Sequence, residues 1–86
     1  MVEINFIVHT DKFESDIKRI RDKALKEKLQ KQIEKITSNP DFGKPLRYDF
    51  KGEKTIYVKP YRLIFKVEGD KLVILRFEHR KEAYKR

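Results

Sequence analysis

Val2, Ile4, Phe6 and Val8 alternate with Glu3, Asn5, Ile7 and His9 at the head of the chain, the period-2 pattern of a strand with one face on a core. Thr10 and Asp11 follow with side-chain oxygens suited to a helix start, and Asp11 with Glu14 has the spacing of a capping box. Phe13, Ile17 and Ile20 then recur at helical spacing, and Leu25, Leu29, Ile33 and Ile36 continue the pattern as far as Thr37. One long helix and a hairpin of two both satisfy it, since no strong breaker falls between Arg21 and Lys23; a hairpin packs better on a small sheet. Asn39-Pro40 closes the helical region, because proline cannot donate to the helix ladder and disfavours helical geometry in the residue before it.

Gly43 and Pro45 mark a loop, after which the chain reads as strands over Leu46 to Phe50, Thr55 to Lys59, Tyr61 to Val67 and Leu72 to Glu78. Gly69-Asp70 has the length and type of a tight hairpin turn between the last two. One strand, helical segments and then a run of strands predict an α+β domain, with helices on one face of a mainly antiparallel sheet of three to four strands and the other face left to bind. No repeat, low-complexity tract or linker interrupts residues 1–86, so a single domain with one small core is expected.

Charge sharpens the picture. Lys and Arg number 22 against 14 acids. Residues 1–43 hold 9 bases and 8 acids, whereas residues 44–86 hold 13 and 6, so the net charge is +1 in the first half and +7 in the second. A field concentrated in that way suits a polyanionic partner, because clustered cations gather phosphates and release their counterions. The absence of cysteine excludes disulfides and thiolate zinc sites. No apolar run approaches the roughly 20 residues that span a bilayer, and the N-terminus lacks the plan of a signal peptide, so no membrane contact and a cytoplasmic setting are expected. No cofactor is implied.

Alternation along the last two strands predicts which side chains share a face. Tyr61, Leu63, Phe65 and Val67 point one way and Arg62, Ile64 and Lys66 the other; Val73, Leu75 and Phe77 oppose Ile74, Arg76 and Glu78. Arg62 is thus expected on the open face, with Arg76 and Arg80 able to converge on it. Cleaving RNA without a metal requires a base for the 2′-OH proton, stabilisation of the extra charge on phosphorus, and an acid for the departing 5′-oxygen. Arg62 and Arg80 suit the charge, since a guanidinium grips two phosphate oxygens at once. His79 titrates nearest neutrality and suits a proton transfer, and Tyr84 offers a ring for base stacking and a hydroxyl.

These residues, with the N-terminal strand, the amphipathic helical segments, Asn39-Pro40 and Gly43-Lys44-Pro45-Leu46, then Tyr61-Arg62-Leu63-Ile64-Phe65 and the closing His79-Arg80-Lys81-Glu82-Ala83-Tyr84, resemble the RelE-type toxins of the RelE/ParE toxin–antitoxin superfamily over nearly the full chain. The resemblance implies a RelE-like fold and a ribosome-dependent mRNA endonuclease that cuts in the A site without metal, leaving a 2′,3′-cyclic phosphate and a 5′-hydroxyl. It implies Arg62 and Arg80 at the scissile phosphate, Tyr84 on the substrate and His79 in proton transfer. Lys44, Lys54, Tyr57, Lys59 and Arg76 are expected to touch RNA. Thr55 and Tyr57 stand where studied relatives carry lysines, one a candidate base, and the loop Asp41-Phe42-Gly43-Lys44-Pro45 lacks the glutamate that some relatives use; both departures shift the base to His79. The implied partner is an acidic, RelB-like antitoxin in a toxin–antitoxin hetero-oligomer. Two alternatives share the fold: a ParE-like inhibitor of DNA gyrase, and a member without catalysis that binds only RNA or its antitoxin.

Overall fold

The computed structural model describes residues 3–39, 44–45 and 52–79. Their elements run β1 (Phe6–His9), α1 (Asp11–Lys18), α2 (Lys23–Ser38), β2 (Lys44–Pro45), β3 (Glu53–Val58), β4 (Tyr61–Glu68) and β5 (Lys71–His79). The five strands form one sheet in the order β1-β5-β4-β3-β2. β1 lies parallel to β5, and the other neighbours are antiparallel. The expected α+β plan holds.

The helical region is a pair of helices, and the break is made by caps. Thr10, not Asp11, is the first N-cap: its hydroxyl accepts the Phe13 N–H at 3.2 Å, so Asp11 becomes the first helical residue and the Asp11–Glu14 box does not form. Asp22 caps α2 in the same way, accepting the Leu25 N–H at 3.2 Å. Both caps satisfy donors that a helix start leaves orphaned.

Phe13, Ile20, Leu25, Leu29, Ile33 and Ile36 from the helical region meet Ile56, Val58, Leu63, Phe65, Leu72, Ile74 and Phe77 from the sheet in one core. Ile74 and Phe77 both belong to it because β5 carries a bulge between them. The register runs Phe65 against Ile74 but Ile64 against Arg76, leaving Leu75 as an extra residue. A bulge of this kind reverses the facing of everything beyond it. Leu72, Ile74 and Phe77 therefore share the helix side, whereas uninterrupted alternation had set Ile74 opposite Phe77.

β1 also departs from its pattern. Ile4 packs on the core, but Phe6, Ile7 and Val8 are exposed (57%, 45% and 39%), because β1 is an edge strand bonded to β5 alone. Past the end of β1, side chains of the α1 region take over its place beside β5. The Thr10 hydroxyl lies 2.9 Å from the Ile74 carbonyl and 2.8 Å from that of Leu75. Asp16, buried on α1 and paired with Lys12, accepts the Phe77 N–H at 3.0 Å. These bonds fix β5 immediately before its last two residues.

At the opposite end of the sheet, Gly69-Asp70 makes the expected two-residue turn, with Gly69 at φ +59°. Asn5 ties the chain entering β1 to that turn through its backbone and side-chain amides on Asp70. The expected strand over Leu46 to Phe50 lies outside the described residues.

Candidate functional site

The face turned away from the helices is laid out in three cross-strand rows: Tyr57, Arg62 and Glu78; then Thr55, Ile64 and Arg76; then Glu53, Lys66 and Val73. The bulge creates the first row. Counted from the Gly69-Asp70 turn, an uninterrupted hairpin would set Phe77 against Arg62, and the extra Leu75 sets Glu78 there instead.

Glu78 is 3% exposed and lies between two guanidinium groups. Its Oε1 accepts the Arg76 Nε–H at 3.0 Å. Its Oε2 lies 3.6 Å from Arg62 Nη2, an ion pair beyond hydrogen-bond length. Arg76 extends further: its Nη2 donates to Glu53 Oε1 at 3.3 Å. Since β4 lies between β5 and β3, that bond crosses β4 beside Ile64, which is fully buried although it stands outside the helix-side core. A buried carboxylate is tolerable only when cations and hydrogen bonds compensate it, and here two arginines do so. The face is consequently less open than an unpaired sheet surface: Thr55 is also buried, and beside Arg62 the accessible side chain is Tyr57, 55% exposed.

Arg62 differs from Arg76 in how much of it is engaged. Its side chain is 19% exposed, and its buried Nε has no hydrogen-bond partner among the described residues. At the other end of the face Lys66 Nζ lies 2.7 Å from Glu68. Hydrogen bonding and charge hold Lys66 above its ordinary pKa and Glu68 below its own.

The remaining candidates are spread out. Lys59 is exposed in the β3–β4 turn. Lys54 pairs opposite Phe65 and so shares the helix-side parity. Lys44 pairs with Thr55 in β2. His79 ends β5 with the parity of Phe77, and its ring meets Tyr61 edge-on at 5.2 Å and 74°, while Tyr61 stacks on Phe77 at 4.8 Å. Arg80, Tyr84 and the Asp41-Phe42-Gly43 stretch lie outside the described residues. Sequence reasoning missed the part played by Glu53 and Glu78; the Arg76-x-Glu78 spacing was visible, but the opposition of Glu78 to Arg62 depends on the bulge.

A family model described as the ParE toxin of the type II toxin–antitoxin system parDE matches residues 7–84. The chain belongs to the RelE/ParE superfamily of toxin–antitoxin toxins. A candidate toxin of Methanocaldococcus jannaschii, RelE4, is 34% identical over 89 residues, covering 100% of this chain and 94% of that protein. The toxin's fold is similar to that in the RelB–RelE antitoxin–toxin complex from Methanococcus jannaschii, with a TM-score of 0.74 at 22% identity over 91% of this chain and 95% of the other. It is also similar to the RelBE2 toxin–antitoxin complex of Mycobacterium tuberculosis, at 0.73 and 25% identity over 93% and 94%. In the ParDE system of Pseudomonas aeruginosa the values are 0.68 and 23% over 92% and 96%. Among the toxin's described residues no helix is long and apolar enough to cross a membrane.

Proposed function

We propose that the toxin is a ribosome-dependent mRNA endoribonuclease restrained by an acidic antitoxin. The observation that carries this reading is the pairing of an exposed aromatic, Tyr57, with an incompletely bonded guanidinium, Arg62, on adjacent strands of one face. A phosphate needs donors, and an unstacked base needs a ring.

In the proposed reaction the 2′-oxygen attacks phosphorus as its proton leaves, the bond from phosphorus to the 5′-oxygen breaks, and that oxygen takes up a proton. The products are a 2′,3′-cyclic phosphate and a 5′-hydroxyl. Arg62, with Arg80, stabilises the charge gained at phosphorus, and Tyr57 and Tyr84 hold the flanking bases. Lys44, Lys54 and Lys59 supply the surrounding positive field, to which Arg76, paired with Glu53 and Glu78, adds little. His79 serves as the base, which requires the substrate to pass over the end of the sheet where His79 meets Tyr61. Solved relatives bearing the names RelB–RelE and RelBE2 are toxin–antitoxin complexes, and a +8 chain suits an acidic partner of that kind.

Primer extension on mRNA from a translation extract supplied with the toxin tests the reading. A-site cuts are expected from the wild type and are expected to fall by about 100-fold or more in Arg62→Ala, given the worth of one donor at a developing charge. Absence of cuts from the wild type, or equal cuts from Arg62→Ala combined with Arg80→Ala, overturns it.

A second reading, inhibition of DNA gyrase, is favoured by the ParE family match and by the offset of Arg62 and Arg76 by Glu78 and Glu53. A gyrase supercoiling assay separates the two, since the nuclease leaves supercoiling unchanged.

A further inference from the structure

We infer that Glu78 is a positioning residue that divides the labour of two arginines, leaving Arg62 as the phosphate ligand and making Arg76 a strut. The inference rests on the proposed endonuclease reading. It stands on an asymmetry in how the buried Glu78 carboxylate meets Arg76 and Arg62. Oε1 takes a true hydrogen bond from Arg76 Nε at 3.0 Å, and the same guanidinium is held again by Glu53 at 3.3 Å. Arg76 is thereby anchored at both ends of its fork, across β4.

Oε2 meets Arg62 only at ion-pair distance, 3.6 Å. The carboxylate draws the Arg62 guanidinium across the row toward β5, and the buried Arg62 Nε has no acceptor among the described residues. Since the Arg62 side chain is part-exposed and its Nη2 is not hydrogen-bonded to Glu78, an arriving phosphate oxygen can take the Arg62 Nη donors without displacing such a bond. Gripping Arg76 through its Nε–Nη2 edge would mean breaking two.

The carboxylate is itself held in place. β5 is fixed one residue earlier by the Asp16 bond to the Phe77 N–H, and the Leu75 bulge turns Glu78 to the Arg62 side. Tyr57 stands on the far side of Arg62 in the same row. Arg62 is thus confined between a buried anion and an exposed ring, a setting that fixes its direction before substrate arrives. Preorganisation of that sort speeds the chemical step more than it tightens binding.

Two experiments test the division. In a double-mutant cycle read by single-turnover cleavage on programmed ribosomes, Glu78→Gln is expected to lower the saturating rate by about 10- to 100-fold with the half-saturating concentration changed by less than about threefold. Arg62→Ala combined with Glu78→Gln should be no slower than Arg62→Ala alone, because residues acting as one unit are not additive. Additive losses, or a faster Glu78→Gln, overturn the inference.

Glu78→Gln leaves two arginines without their shared counter-charge and can fail to fold, so the second measurement uses the wild-type chain. The Arg62 Nε–H resonance is expected to shift on titration with a short RNA carrying a 2′-deoxy sugar at the cleavage position, while that of Arg76 stays. The reverse pattern, or equal shifts, overturns the inference. A wild type that gives the expected shifts yet no cleavage refutes the nuclease reading and leaves the division of roles intact.

Discussion

Asp16 shows how much one side chain contributes to the placement of the site. Its carboxylate stands in for the strand that β5 lacks beyond Ile74, and removing it leaves the Phe77 N–H buried without an acceptor. Asp16→Ala is expected to cost about 2–3 kcal/mol, read as a lower urea midpoint with an unchanged slope. The exposed Lys66–Glu68 pair gives a pH signature. The Lys66 hydrogen bond, then its charge, holds the Glu68 carboxyl below its ordinary value. The small stability it adds is therefore present above that ordinary value and is lost as pH falls through the lowered one. Lys66→Met should move the Glu68 titration upward, as carboxyl-carbon NMR would show. At this scale the sequence was only half legible. Arg62 fell where alternation put it and Tyr57 joined it. Glu78 could not be paired with Arg62, because one inserted residue, Leu75, decides whether Glu78 or Phe77 faces that arginine.

Among the elements, the β4–β5 turn allows a clean test of backbone strain. A Cβ added at Gly69 would meet nothing within 4 Å, so Gly69→Ala is penalised only by the positive φ. A loss of about 1–2 kcal/mol is expected by thermal melting, and Gly69→Asn should lose less, because its side chain tolerates that conformation. The β4–β5 hairpin, β3 and the span of α2 were legible from periodicity and from Gly69-Asp70. Two helices rather than one followed from packing on a small sheet, but the place of the break did not, because it is made by Asp22, a polar residue that caps α2 without interrupting the apolar pattern. The alternation of β1 identified a strand but could not say that it would lie at an edge, with Phe6, Ile7 and Val8 exposed.

For the molecule as a whole, layer arrangement and charge imbalance were both readable, because each follows from sums over many residues. The net charge of +8 bears on association. Binding to an acidic antitoxin is expected to slow by about tenfold or more between about 50 mM and 500 mM salt, with dissociation changing less, as stopped-flow fluorescence would show. The parallel pairing of β1 with β5 has a consequence for synthesis. Phe6 finds Lys71 in register only after the intervening chain has been made, and Asp16 waits for Phe77 in the same way. Contacts of such long span form late, so the sheet cannot close until β5 has been made. A strand order that sets the first strand beside the last thus defers the toxin's complete sheet until the whole of β5 is available.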